Sequence, residues 1–284
     1  MDKYKIHAPE FNLELTLTCG QTFCWHRIEG DLYGDGGNKF YTFRKDEPII
    51  AHQDGDTVTV ETSLPRSEVE EALGLDRDLE KVFSTFPDDE KLQYAMKELK
   101  GLRIVQDEFF PCLISYLCSP QMRIPRIKQM HNKLAENYGE AVEFRGEELL
   151  KFPTLEQLLQ ASEEDLRELG LGYRAKYVSN SVEILQKEGL AVSDDYEVAR
   201  EDLKRLYGVG DKVADCVLLF SLGFYEAYPL DTWALKVLEK DYPGLYSEDY
   251  GEASENLRNY FGPYSGYAQE YLFHAARKGI IEVQ

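Results

Sequence analysis

The alternation of apolar and polar positions divides the chain in two. Near the start, Phe11, Leu13, Leu15 and Leu17 alternate with Asn12, Glu14 and Thr16, a period of two that predicts a half-buried strand. Phe23-Cys24-Trp25 and Phe40-Tyr41-Thr42-Phe43 predict further strands, with Gly34-Asp35-Gly36-Gly37 as a turn between them. Asp54-Gly55-Asp56 leads into one more, over Thr57-Val58-Thr59-Val60-Glu61. Around residue 66 the period becomes helical, and from about residue 78 helices dominate. Thr154 with Gln157, and Ser162 with Asp165, have the spacing of a capping box. Gly170-Leu171-Gly172 closes the second of these helices, and Tyr173 to Lys187 predicts the next. The expected class is α+β: an N-terminal antiparallel β-sheet domain over residues 1–95, then a helical region over 96–284.

Composition narrows the function classes. No stretch approaches the ~20 apolar residues of a membrane span, and the N-terminal residues lack the apolar core of a signal peptide. A cytoplasmic protein is expected, nucleoid-associated in a prokaryote, working as a monomer without membrane contact. The five cysteines, Cys19, Cys24, Cys112, Cys118 and Cys216, are odd in number and scattered, which fits neither a disulfide framework nor a zinc or iron–sulfur site. No metal and no cofactor are expected. The net charge of −20 opposes binding to a polyanion. A nucleic-acid partner therefore requires a local basic patch or a high-salt cytoplasm that screens the repulsion.

The chemistry concentrates in Leu206-Tyr207-Gly208-Val209-Gly210-Asp211-Lys212-Val213-Ala214-Asp215-Cys216-Val217. One helix ends near Tyr207 and a second begins around Asp211, which gives a helix-hairpin-helix at about 198–220. Gly208, Val209 and Gly210 let the backbone approach a ligand, and the helix start adds free N–H groups and a positive dipole end. That combination suits one DNA phosphate, although a bare turn of this kind is more often a plain hairpin. Asp231 lies 19 residues beyond Lys212, in Pro229-Leu230-Asp231-Thr232-Trp233, where it can cap the helix running through Leu238.

Gly-Val-Gly-x-Lys followed by a proline-preceded Asp resembles the helix-hairpin-helix DNA glycosylases of base-excision repair, and the lysine resembles their lyase-competent members. Gly20-Gln21-Thr22-Phe23-Cys24-Trp25, Leu169-Gly170-Leu171-Gly172-Tyr173-Arg174-Ala175-Lys176-Tyr177 and Gly262-Pro263-Tyr264-Ser265-Gly266-Tyr267-Ala268-Gln269 extend the resemblance to the 8-oxoguanine DNA glycosylase family over nearly the whole chain. The resemblance implies an enzyme that flips a damaged purine out of double-stranded DNA. Lys212 would displace the base and form a Schiff base with the sugar, and Asp231 would stabilise the positive charge on that sugar. The carbonyl of Gly20 would accept the hydrogen that 8-oxoguanine carries on N7. Cys216 and Phe273 would sandwich the base, and Gln269 would read its edge. Tyr173 would wedge the duplex, while Arg174 and Arg126 would face the orphaned cytosine. The family's asparagine run is replaced here by Gln121-Met122-Arg123, so Gln121 is the amide left for the opposite strand. The alternatives are a glycosylase for alkylated purines and an inactive damaged-DNA-binding protein. Both sit less well with the pairing of Lys212 and Asp231.

Overall fold

The computed structural model describes residues 2–282. Five strands, β1 (Asp2–His7), β2 (His26–Arg27), β3 (Lys39–Arg44), β4 (Glu47–Asp54) and β5 (Thr57–Thr62), form an antiparallel sheet in the order β1-β5-β4-β3-β2. Alternation along these strands sends side chains to two different cores. Phe40, Ile49, Ala51, Val58 and Val60 pack on one face with Ile6, Trp25, Val69 and Leu73. Tyr41 and Ile50 face the other way, onto Phe144 and Leu149. Those two belong to a separate hairpin, β6 (Glu140–Phe144) and β7 (Glu147–Lys151).

The segment read as the first strand is a helix, α1 (Leu13–Thr18). Asn12 caps it, accepting the N–H of Leu15 at 2.9 Å. Its buried positions are Leu13, Thr16 and Leu17, spaced by three and four, and Leu15 is only half-buried. The threonine is buried because its hydroxyl donates to the Gly101 carbonyl at 3.3 Å. A period of two therefore misread a helix whose polar core position is satisfied. Phe23-Cys24-Trp25 is likewise not a strand. It runs as irregular backbone into the two-residue β2, because its partners are side chains rather than a ladder. The strands over 39–44 and 57–62 stand where the pattern puts them.

The helical part follows as α2 (Arg66–Ala72), α3 (Leu79–Ser84), α4 (Glu90–Glu98), α5 (Phe109–Leu117), α6 (Ile124–Tyr138), α7 (Leu155–Leu158), α8 (Glu163–Leu166) and α9 (Arg174–Glu188). The remainder is α10 (Tyr196–Lys204), α11 (Asp211–Phe220), α12 (Thr232–Asp241), α13 (Tyr250–Phe261) and α14 (Ser265–Arg277). Both capping boxes form, at Thr154 with Gln157 and at Ser162 with Asp165. The β6–β7 hairpin interrupts the expected helical run. Its sequence is acidic and mostly exposed, so it lacks the apolar alternation that marks a strand. Among the described residues no helix is long and apolar enough to cross a membrane.

α10 and α11 form the predicted hairpin. Gly208 adopts φ +87°, and a Cβ there would meet Cγ of Tyr177 at 2.4 Å, so only glycine fits this turn. Asp215, fully buried on α11, ties the hairpin to its neighbours. It accepts the hydroxyls of Tyr196 on α10 and Tyr250 on α13, each at 2.7 Å. Arg200 on α10 pairs with it at 3.2 Å and with Asp211 at 3.3 Å. Burial raises the Asp215 carboxyl to about 6, against the pull of Arg200 and the two hydroxyls. Replacing Asp215 by Ala leaves two buried hydroxyls without their acceptor and a buried guanidinium with Asp211 alone. We expect Asp215→Ala to lose about 3–5 kcal/mol of folding free energy, read from the denaturant midpoint. A loss within experimental error would show that the hub is dispensable.

Candidate active site

α11 begins at Asp211, which puts Lys212 in the first turn of a helix whose following residues are all buried. Lys212 is half-buried, and its Nζ donates to Oγ of Ser119 at 3.2 Å and lies 5.2 Å from the centre of the Tyr116 ring. Cys216 is one turn further along α11 and 3% exposed. Burial pushes its thiol up to about 12, so it is a neutral, soft surface and not a thiolate.

Asp231 is the N-cap of α12, as its sequence context predicts. Its Oδ1 accepts the N–H groups of Trp233 at 3.0 Å and Ala234 at 2.8 Å. Burial raises the carboxyl, and these two N–H groups together with Lys212 act against that rise. Lys212 and Asp231 thus reach one space from the starts of two different helices.

That space is a cavity of about 500 Å³. Lys212, Cys216, Asp231, Gly20, Gln269 and Phe273 all line it, and Gln121 stands at its wall. Gln269 and Phe273 lie one turn apart on α14, both nearly sealed from solvent. Oε1 of Gln269 has no hydrogen-bond partner. Phe273 is braced by Arg277, whose guanidinium lies 5.7 Å from its ring centre.

Gly20 has φ +117°, and a Cβ there would come within 2.7 Å of Cδ1 of Ile124 and 3.4 Å of Cε1 of Phe273. Its neighbour Gln21 fixes the loop from below. The Gln21 amide donates to the carbonyls of Thr16 at 2.9 Å and Arg103 at 2.7 Å, and its Oε1 accepts the N–H of Val105 at 3.0 Å. The Gln21 carbonyl in turn accepts the hydroxyl of Tyr116 at 2.5 Å. Thr22 donates to Asp107 at 2.6 Å, and burial raises that carboxyl to about 7.

The remaining predicted residues surround the cavity without lining it. Tyr173 is 42% exposed, and its ring begins an aromatic series through Tyr177 to Tyr207 with centres 5.5 and 5.9 Å apart. Arg174 is buried beneath it. Its guanidinium lies 4.3 Å from the Tyr173 ring centre, and Nε and Nη2 both donate to the Pro120 carbonyl. Arg126 and Lys133 on α6 reach the carbonyls of Gly170 at 3.5 Å and Leu169 at 3.1 Å. The segments 120–133 and 169–177 therefore form one cation-bearing rim. Gly208, Val209 and Gly210 make the turn directly ahead of Lys212.

Three pocket residues escaped the sequence reading. Ser119 and Tyr116 contact Lys212 from α5 and its end, in a segment whose apolar pattern marks it only as core. Glu270 lines the cavity as well. The signal available for it is a lone acid inside the apolar run Tyr267 to Phe273.

Residues 3–113 match the family described as 8-oxoguanine DNA glycosylase, N-terminal domain. Residues 114–262 match the HhH-GPD superfamily of base excision DNA repair proteins. A protein of Methanothermobacter thermautotrophicus named "Probable N-glycosylase/DNA lyase" is 32% identical, covering 98% of this chain and 97% of its own length. The N-glycosylase/DNA lyase OGG1 of Arabidopsis thaliana is 31% identical over 98% of this chain and 81% of its own. The apo structure of the Clostridium acetobutylicum 8-oxoguanine glycosylase/lyase superposes with a TM-score of 0.84 at 30% identity, covering 97% of both chains. The same enzyme in complex with dsDNA containing cytosine opposite 8-oxoG gives 0.83 at 30% identity, over 96% of this chain and 93% of the other. With two matched regions that run almost end to end and relatives aligned over most of their length, this chain belongs to the 8-oxoguanine DNA glycosylase family of helix-hairpin-helix base excision repair proteins.

Proposed function

We propose that this protein is a bifunctional DNA glycosylase and abasic-site lyase that removes 8-oxoguanine from double-stranded DNA. The observation that carries the reading is the meeting of Lys212 and Asp231 in one cavity large enough for a purine and walled by Cys216, Phe273 and Gln269. A base inside the duplex cannot reach that cavity, so the nucleotide must be extruded first. Tyr173, exposed on the rim, fills the gap it leaves, and unstacking is offset by the new aromatic contact. Lys133 on the rim and the N–H groups ahead of α11 hold the phosphates, which gives a net-acidic protein a local place for DNA. A double-stranded DNA substrate supports a cytoplasmic location, at the nucleoid in a prokaryote.

The chemistry follows from the two side chains. Lys212, as the free amine, attacks C1′ of the sugar while the bond from C1′ to the base nitrogen breaks and the base leaves with the bonding pair. Positive charge develops on the sugar as this happens. Asp231 is fixed by two backbone N–H groups on Oδ1, which leaves Oδ2 to stabilise that charge without reorganising. Opening of the sugar ring gives a Schiff base on Lys212, and loss of a proton from C2′ then expels the 3′ phosphate by β-elimination.

Recognition rests on Gly20. Its carbonyl accepts the N7 hydrogen that distinguishes 8-oxoguanine from guanine, and guanine would set a lone pair against it. Arg174 contributes indirectly, by fastening Tyr173 to the Pro120 carbonyl. The opposite base is met by Gln121, Arg126 and Arg123, with no run of amides.

Borohydride reduction in the presence of duplex DNA carrying 8-oxoguanine opposite cytosine is expected to trap a covalent complex with the wild-type protein and none with Lys212→Gln. Absence of trapping by wild type, with DNA still bound, would reject this lesion as the substrate. Asp231→Asn should fall by about 10²–10³ in single-turnover excision, on the scale of a lost electrostatic stabiliser. Gly20→Ala meets Ile124, Phe273 and a positive φ together. We expect it to cost about 1–3 kcal/mol in stability and to lower excision of 8-oxoguanine, both measured on the same preparation. A stable, fully active Gly20→Ala would show that the pocket tolerates a Cβ at this position and that the close packing of Gly20 is dispensable.

A further inference from the structure

α14 carries a second carboxyl into the pocket, and the reaction as derived above leaves it idle. Glu270 follows Gln269 directly, lines the same cavity and is 2% exposed. Its Oε1 has no hydrogen-bond partner, as is also true of Oε1 of Gln269. Two buried polar atoms on adjacent residues, both left unmet in the wall of one cavity, are a standing cost that a polar occupant removes.

The groups facing Glu270 come from five segments of the chain. The thiol of Cys19 faces its carboxyl from the loop after α1. Asp231 faces it from the head of α12, and Arg277 from further along α14. The phenols of Tyr33 and Tyr116 complete the surroundings. Arg277 is committed elsewhere, to the Thr18 carbonyl at 3.3 Å and to the Phe273 ring. Among the described residues Glu270 has no ion pair. Burial, with Asp231 near, raises its carboxyl to about 8, so at neutral pH it is an uncharged acid. Asp231 differs in having two backbone N–H donors and Lys212 to support a charge. One pocket thus holds two carboxyls with two different tasks.

We propose that Glu270 is a base-reading residue, acting as a neutral acid beside the amide of Gln269 on the edge of the extruded base. This rests on the glycosylase reading given above. A neutral carboxyl offers an O–H donor and a carbonyl acceptor, the complement needed by the neighbouring N–H and C=O groups of an oxidised purine. A charged one in the same seat would be shut off from water beside Asp231 once the base fills the cavity.

Two reactions on one preparation test this: single-turnover excision of 8-oxoguanine, and cleavage of a preformed abasic site, which has no base to read. Their ratio is expected to fall about tenfold or more in Glu270→Ala and to return to within a few-fold of wild type in Glu270→Gln. In wild type the ratio should fall as pH rises through about 8, while Glu270→Gln should stay level there. An equal fall of both reactions in Glu270→Ala would make the residue merely structural and overturn the proposal. So would a pH profile shared by wild type and Glu270→Gln, which decides the matter even if the alanine variant does not fold. Wild-type protein that cleaves abasic sites but leaves 8-oxoguanine in place would reject the substrate reading itself, and this proposal with it.

Discussion

The side-chain amide of Gln21 is the fastening on which the pocket depends. One side chain holds Thr16 at the end of α1 and both Arg103 and Val105 in the strap that leads toward α5. The backbone carbonyl of Gln21 receives the hydroxyl of Tyr116, the ring that lies under Lys212. The β-sheet core and the helical core are thereby locked together at the point where Gly20 meets Phe273 and Ile124. Each of these hydrogen bonds contributes only about 1 kcal/mol alone, but the buried groups would be expensive to leave unmet. The proposed recognition of a base by the Gly20 carbonyl needs that carbonyl held to a fraction of an ångström, and a buried side-chain amide bonded to three backbone groups is a rigid way to hold it.

The hairpin, and the meeting of Lys212, Asp231, Cys216 and Phe273 in one cavity, were legible in the sequence because each sits in a local motif with fixed spacing. Lys212 and Cys216 share a face four residues apart, and Asp231 caps a helix that its own Pro-Leu-Asp-Thr context announces. The sheet was legible where apolar alternation is strong, at Phe40 to Phe43 and Thr57 to Glu61. It failed at Leu13 to Thr18, where Thr16 is a core residue in disguise, its hydroxyl satisfied by a carbonyl 85 residues away. The β6–β7 hairpin went unseen for the opposite reason: its acidic residues are solvated and carry no period. Glu270, Ser119 and Tyr116 act through packing between distant segments, which no local spacing encodes.

The charge of the chain also resolves into geometry. A net −20 is spread over a surface whose acids pair with one another's basic neighbours across much of the fold, as at Arg44 with Glu68 and Glu71. The rim is different. Arg126 and Lys133 spend hydrogen bonds on backbone carbonyls and not on carboxylates, so their charge is not cancelled locally. A polyanion approaching the molecule meets repulsion at long range and attraction at the rim, and salt weakens the two to different extents.

The cavity is assembled from segments far apart in the chain. His274 on α14 lies 3.1 Å from the Cys19 carbonyl across 255 residues, and Arg277 reaches the Thr18 carbonyl beside it. During synthesis on a ribosome the loop bearing Gly20 emerges first, the hairpin bearing Lys212 much later, and α14 later still. A growing chain therefore holds Lys212 and the Gly20 loop before it holds Gln269 and Phe273, the part of the cavity wall that α14 supplies. The cavity is completed only when this long loop closes, so a polypeptide cut short before α14 would carry a lysine-bearing hairpin with one wall of its cavity missing.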